Sequence, residues 1–396
     1  MGLKIQQIHY RNFRNYDNYE LTDIGDVTVF VGPNAIGKTN LIEGIQLITA
    51  FNSFRSSKTE HLVRFGEDSS FIRAVLSDGV RKLDIDFTIH EGKRSFSLNG
   101  KRKQIKNLRG ILPSVVFSPD DLNFIKGSQS IKRAEIDNLG SQLSANYSNV
   151  RHDYERILKQ KNRYLKEDTT HTFLESVNEV LTTIGSQFYV LRTRLVQELI
   201  PYIKTYYAEL CVGKEEVSIA YIPSWFKYED PSLQELLDSQ FSRDEVKEQL
   251  DTVIEREFSR EHQRRLSLFG PHADQIVFLI NGKDASHFAS QGQQRSLVLS
   301  YKMAEVALLR DRLNQTPVLL LDDVMSELDE QRRTQLIKVI SQDIQTFITS
   351  TNLSYFDDEF LSNAEIIELT QEGERRYEKT ADSRFELYDR LLQPTS

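Results

Sequence analysis

The chain has a single cysteine, Cys211, among its 396 residues. That excludes an intramolecular disulfide and suits a reducing, cytoplasmic setting. Its eight histidines are scattered and none adjoins the cysteine, so no zinc-site spacing exists. No stretch of about 18 apolar residues occurs, and no membrane helix is expected. The opening run from Met1 to Ile8 interrupts its apolar residues at once and does not read as a signal peptide. Positive charge is also in deficit, with 50 Lys and Arg against 58 Asp and Glu and a formal net charge of -8. A generally basic surface for nucleic acid is thereby excluded, so any DNA contact must rest on local patches. Internal repeats and low-complexity segments are lacking as well. What remains is 39% hydrophobic and 27% charged, the balance of a globular protein. Its length predicts two or three domains.

The amino-terminal stretch reads as strand-rich. Leu3, Ile5 and Ile8 roughly alternate with polar residues, and Val27 to Val31 is a short buried-strand run. Leu41, Ile42, Ile45, Ile48 and Ala50 then give one helical face. Leu83 to Phe87 alternates as a half-exposed strand does, and Asn99-Gly100 and Asn281-Gly282 are hairpin turns. From about Gly127 to Arg265 helical spacing takes over, in Phe173, Val177, Val180, Ile184, Phe188, Leu191, Leu195 and Leu199. Pro201 is expected to end or kink that helix, and Pro223 and Pro231 mark a further break. The expected division is an α/β head of mixed sheet in two parts, 1–126 and 266–372. A helical arm, 127–265, is inserted between them, and 373–396 forms a tail. In the tail, Phe385, Tyr388, Leu391 and Leu392 make a helical stripe.

Three motifs carry chemistry. Gly32-Pro33-Asn34-Ala35-Ile36-Gly37-Lys38-Thr39 matches G-x-x-x-x-G-K-[ST] between a predicted strand and a predicted helix. Glycines there let backbone N–H groups wrap phosphate oxygens, and the helix start adds partial positive charge. Lys38 is placed to reach the β- and γ-phosphates of ATP, and the Thr39 hydroxyl to ligate Mg2+. Far downstream, Pro317 to Leu321 is an apolar run ending in Asp322 and Asp323. A buried parallel strand would bring those carboxylates to the crevice where open α/β sheets bind ligands. Asp322 is then a metal ligand, and Asp323 a group that orients or deprotonates the attacking water. The third motif, Ser290-Gln291-Gly292-Gln293-Gln294-Arg295, opens another helix. A hydroxyl and a glycine at a helix start suit either an anion or a simple N-cap by Ser290. Ser326-Glu327-Leu328-Asp329 closely follows the acidic pair.

In that order, the phosphate loop, the Ser-x-Gly-Gln segment, the Asp-Asp strand end and the Ser-Glu-Leu-Asp loop resemble the ABC-type ATPase heads of the SMC group. Within that group the text is similar to the RecF family of bacterial DNA replication and repair proteins. Asn12 to Tyr16, Gly32 to Glu43, Ser53 to Arg55, Phe117 to Leu122, Lys126-Gly127, Gly270 to His272, Ala289 to Arg295, Leu319 to Asp329 and Thr349 to Thr351 carry the likeness. Ala35 stands where the family often has glycine, and the arginine usual after the histidine is absent at Ala273. The resemblance implies a nucleotide site of Gly32 to Lys38, Thr39 and Asn40, completed by Ser290, Gly292 and Gln293 of a second copy. It further implies a homodimer formed on ATP, weak DNA-stimulated hydrolysis, and single-stranded, gapped or junction DNA as partner. Work with RecO and RecR in recombinase loading, and a part in SOS induction, belong to the same implication.

Three basic clusters are candidates for DNA: Lys93, Arg94, Lys101, Arg102, Lys103, Lys106 and Arg109 around the Asn99-Gly100 turn; Lys126, Lys132 and Arg133; and Lys159, Lys161, Arg163 and Lys166. Each could track a phosphate backbone or be a solvated surface, and none offers a pattern for reading bases. A metabolic P-loop kinase would leave Ser290 to Arg295 unexplained. An ABC transporter subunit would carry a histidine where Thr349 to Thr351 stand.

Overall fold

The structure is a computed structural model that describes residues 2–55, 58–167, 169–211, 215–226, 241–340, 343–371 and 373–377. Pro231 and the stripe of Phe385, Tyr388, Leu391 and Leu392 lie outside them. The chain forms two compact units, Met1–Leu122 with Lys302–Ser396, and Asn123–Tyr301.

The first unit begins with β1 (Lys4–Phe13), β2 (Tyr16–Thr22), β3 (Val27–Val31) and helix α1 (Lys38–Thr49). It continues through β4 (Ser69–Ser77), β5 (Lys82–His90), β6 (Lys93–Leu98), β7 (Lys101–Lys103) and β8 (Ser114–Phe117). Six of these strands form an antiparallel sheet in the order β2-β1-β4-β5-β6-β7. Tyr10, Ile72, Phe87 and Phe96 pair in one row across four strands, and all are buried, as a sheet with a single inward face requires. That face packs on α1: the Tyr10 hydroxyl donates to the Leu41 carbonyl at 2.9 Å. Gly44 admits the Tyr10 ring, since a Cβ there would lie 2.2 Å from it. Asn99 and Gly100 both take positive φ, the type I′ geometry that joins Leu98 to Lys101. Glu91-Gly92 makes the same turn between β5 and β6.

The second unit holds α2 (Gln129–Leu143), α3 (Ala145–Lys166), α4 (His171–Leu210), β9 (Val217–Ile222), α5 (Arg243–Arg256) and α6 (Phe258–Arg264). After them come β10 (Gln275–Ile280), β11 (Lys283–Asp284), α7 (Ala285–Phe288) and α8 (Gln291–Leu313), which ends in the first unit. Helix α4 runs through Pro201 to Leu210 without ending there. Its buried stripe includes Leu174, Val177, Leu181, Phe188, Leu195 and Leu199, whereas Phe173 and Val180 are exposed. The boundary expected at 265/266 differs from that of the compact units, which lies at Tyr301/Lys302. The physical reason is pairing: β10 is hydrogen-bonded antiparallel to β9, from Gln275↔Ile222 to Ile280↔Val217, so the segment after 265 completes a sheet begun within the helical part.

The first unit resumes with β12 (Val318–Asp322), α9 (Glu330–Ile340), β13 (Thr346–Ser350), α10 (Asp358–Asn363), β14 (Glu365–Thr370) and β15 (Gly373–Tyr377). These build a second sheet in the order β15-β14-β3-β13-β12-β8, parallel except for β15. Every residue of β12 and β13 is buried, which accounts for the apolar run Val318 to Leu321 in β12, whereas β13 carries Thr346, Thr349 and Ser350 among its buried residues. Residues 373–377, expected from sequence as tail, are an edge strand of this sheet. The order β3-β13-β12 leaves one strand between the strand feeding the glycine loop and the strand ending in two aspartates.

Candidate functional site

The site in the first unit begins where β3 runs out. Gly32 is buried and donates its amide to the Ser350 carbonyl at 3.3 Å. A Cβ on Gly32 would lie 2.6 Å from the Leu369 carbonyl oxygen, so only glycine fits. Pro33, Asn34 and Ala35 are exposed, and Ala35 holds a left-handed φ of 67°. Glycine takes that conformation freely; for alanine it costs about 1 kcal/mol. Gly37, at φ 116°, turns the chain into α1, and a Cβ on it would strike the Asn15 amide at 2.5 Å. The loop is pinned from outside. Asn15 Nδ2 donates to the Ile36 carbonyl (3.0 Å), Asn40 Nδ2 to Asn15 Oδ1 (2.7 Å), and Arg55 Nη1 to Asn40 Oδ1 (2.8 Å).

Lys38 reaches back across the loop, its ammonium donating to the carbonyls of Gly32 (2.7 Å) and Pro33 (2.9 Å). Burial pulls its pKa below the ordinary lysine value, while Asp323 and Asp322 act in the opposite direction. Next in sequence, the Thr39 hydroxyl donates to Asp322 Oδ1 at 2.9 Å. Buried Thr349, at the end of the intervening strand β13, donates to the same oxygen at 2.8 Å. Burial raises the Asp322 carboxyl above its usual range against the pull of those hydrogen bonds and of Arg55 and Lys38. Asp323 takes a left-handed φ of 52°, and its amide donates to Thr349 Oγ1 at 2.9 Å. Its Oδ1 is buried with no hydrogen-bond partner among the described residues. Burial raises this carboxyl too; Lys38 lowers it, and Asp322 and Glu327 add to the rise.

These groups fit a magnesium nucleotide. Glycines stand at the two loop positions whose surroundings leave no room for a side chain, an ammonium lies across the loop, and a hydroxyl and a carboxylate oxygen, both hard donors, sit together. Among the described residues no cluster of three or more His, Cys, Asp or Glu could hold a metal unaided.

In the second unit, Ser290 and Gln293 form a capping box at the start of α8. Gln293 N donates to Ser290 Oγ (3.2 Å), and Ser290 N to Gln293 Oε1 (2.7 Å). The N-cap reading of Ser290 thus describes the single chain. Ser290 stays exposed, and Gln293 Nε2 also donates to Glu215 at 2.6 Å.

The profile of the RecF/RecN/SMC N terminal domain matches residues 4–374. The DNA replication and repair protein RecF of Staphylococcus aureus (strain JH9) is 37% identical over 93% of this chain and 99% of its own. The chain belongs to the RecF family. A solved structure of the recombination mediator protein RecF-ATP in the RecFOR pathway superimposes with a TM-score of 0.84 at 28% identity, covering 95% of this chain and 98% of that one. The Smc head domain of Pyrococcus furiosus shares the fold alone, at TM-score 0.53 and 13% identity over 99% of this chain and 100% of that one. The fold is the ABC-type ATPase head with a helical insertion. No described helix is long and apolar enough to cross a membrane.

For a RecF-family head, the phosphate loop, Thr39, Asp322 and Asp323 come together in one unit, while Ser290, Gly292 and Gln293 stand in the other. Sequence reading assigned no role to Thr349, Asn15, Arg55 or the buried Glu43. Glu43 takes a two-pronged ion pair from Arg14 at 2.7 and 2.6 Å and a hydrogen bond from Ser53. The only signal for them lay in the family-like stretches at Asn12 to Tyr16, Gly32 to Glu43, Ser53 to Arg55 and Thr349 to Thr351. Of the basic clusters, Lys93, Lys101, Arg102, Lys103 and Lys106 are exposed around the β6–β7 hairpin, whereas Arg94 donates to Thr59. Two lysines prove to be buried: Lys132, and Lys161, which pairs with Glu261 at 2.6 Å. Arg133 donates to the Asp274 carbonyl. The second and third clusters are therefore not simple solvent-facing patches.

Proposed function

We propose that this chain is an ATP-dependent DNA-binding protein of recombinational repair and replication, in which ATP acts as a switch. The reading is carried by the shared bond of Thr39 and Asp322 beside the unpartnered Asp323 oxygen. Gly32 to Asn40 would bind the phosphates, with Lys38 giving up its two carbonyl partners to the β- and γ-oxygens. Thr39 and Asp322 would hold Mg2+, which supplies Lewis-acid neutralisation of phosphate charge. Asp323 is suited to orient water or take its proton, since burial holds its carboxyl above the ordinary range. Because one loop cradles one nucleotide, Ser290, Gly292 and Gln293 are left for the nucleotide of a second copy. ATP would then join two chains and hydrolysis would part them.

DNA is the cargo this reading assigns, single-stranded or at gaps and junctions, held by phosphate contacts of patches such as the β6–β7 hairpin. The solved relative set in the RecFOR pathway supports RecO and RecR as partners in recombinase loading, and SOS induction follows from the same role. Asp323→Asn should keep ATP affinity and lose phosphate release by about 100-fold or more. Turnover at the wild-type rate would remove Asp323 from the chemistry.

A further inference from the structure

A cavity of about 390 Å³ in the second unit is lined by Lys126, Gly127, Ser128, Gln129 and Lys132 on one side, and by Gln275, Val277, Asp284, Ser286 and His287 on the other. It opens on the start of α2, a helix of 15 residues. No side chain caps that start: the Ser128 hydroxyl turns to Ser130 Oγ at 2.8 Å. The backbone N–H groups of Gln129 and Ser130 have no acceptor among the described residues, so the positive end of the helix faces the cavity. Lys132 is the independent sign of a ligand. It is 3% exposed and lines the cavity, and its ammonium makes no hydrogen bond and no ion pair among the described residues, the nearby Asp284 acting on it through its charge alone. An ammonium that ends in a cavity on a largely buried stem, with no carboxylate in ion-pair contact, favours something anionic there. Asp284 is the one acidic side chain in the lining, and its Oδ1 is held by the amide and hydroxyl of Ser286 at 2.8 and 2.6 Å. Two lysines and a helix start thus oppose one engaged carboxylate.

We propose that this cavity binds a phosphate group, distinct from the nucleotide loop, with Lys132 and the α2 N–H groups as its floor and Lys126 and His287 at its mouth. The group can come from a nucleic-acid backbone or from free phosphate.

The test uses the full chain carrying Lys38→Ala, without nucleotide, so that the loop at Gly32 contributes nothing and failure here leaves the nucleotide reading intact. Inorganic phosphate, against chloride at equal ionic strength, should raise the unfolding temperature by about 2–4 °C. Adding Lys132→Met should abolish that increment while leaving the protein at least as stable in chloride; Lys132→Arg should keep it. No increment, or one untouched by Lys132→Met, would overturn the proposal. A second arm titrates gapped DNA across salt, with the chain that keeps Lys132 and the Lys132→Met variant side by side. A slope of log affinity against log salt reduced by about one in Lys132→Met assigns the group to DNA. An unchanged slope beside a lost phosphate increment upholds the site and assigns it to free phosphate.

Discussion

Arg14→Met would strand a carboxylate that water cannot reach. The Glu43 side chain is 0% exposed and that of Arg14 16%, and the two meet through a two-pronged contact at 2.7 and 2.6 Å. Ser53 would remain as a hydrogen-bond donor to Glu43, and the Arg55 guanidinium lies 4.0 Å away. Breaking a buried pair by removing one partner costs about 3–5 kcal/mol, because the other charge stays buried and uncompensated. Glu43→Gln is the opposite case: the guanidinium it releases lies nearer to solvent, so about 1–2 kcal/mol should be lost. Both values would be read from urea unfolding of the full chain, with the double variant Arg14→Met/Glu43→Gln closing the cycle and recovering part of the loss. Function should follow stability. Asn15 adjoins Arg14 and holds Ile36 of the phosphate loop, and Arg55, two residues from Ser53, holds Asn40. Arg14→Met should therefore weaken ATP binding by about tenfold under conditions where the chain is folded, which is about 1.4 kcal/mol. A loss below about 1 kcal/mol for Arg14→Met would refute the argument, since it would mean that Glu43 is not held as a buried charge by this pair.

The remaining predictions concern the loop and the buried polar network of the second unit. Lys38→Arg should fold yet lose hydrolysis: its planar head cannot take the place of an ammonium set between the Gly32 and Pro33 carbonyls. Phosphate release at the wild-type rate would count against this placement. Gly37→Ala adds a Cβ 2.5 Å from Asn15 Nδ2 at a φ of 116°, and should abolish measurable ATP binding; calorimetric titration checks it, and wild-type affinity would contradict it. Burial pulls His272 down to about 4 and pushes Asp274 up to about 6. Between about pH 4 and 6.5 the unfolded chain holds the His272 proton more often than the folded one, so this group makes stability rise with pH. Asp274 works the other way, the folded state holding its proton from about pH 3.8 to 6, and the two largely cancel. Asp274→Asn should unmask the histidine, giving stability that rises by about 3 kcal/mol from pH 4 to 6.5. Urea midpoints across that range test it, and a slope equal to wild type would sink it.

Much of the head was legible because its signals are local. The glycine loop, the apolar runs of β3 and β12 and the Asn-Gly turns each state their backbone geometry within a few residues. Glu91-Gly92 was not legible, since glutamate is an unusual occupant of the left-handed position it takes at φ 49°. Long-range burial hid the rest. Lys161 reads as surface charge until Glu261, 100 residues on, is seen to meet it. Thr349 reads as a strand residue until β13 is placed between β3 and β12, which turns its hydroxyl onto Asp322. Pro201 signals an end or a kink, and of the two the end does not occur: Leu199, Ile203 and Tyr207 stay buried on either side of it within one helix. Ser290 suits both a cap and an anion contact by residue type, and the single chain displays the cap.

The central claim is that the loop from Gly32 to Thr39 is half of a site, completed by Ser290 of a second copy. Sedimentation of Asp323→Asn with Mg2+-ATP tests it most directly. The account predicts a monomer without nucleotide, a dimer with it, and a monomer again when Ser290→Arg is added, with ATP affinity of the single chain preserved. A chain that stays monomeric at saturating ATP, or one that pairs as well with Ser290→Arg, would contradict it.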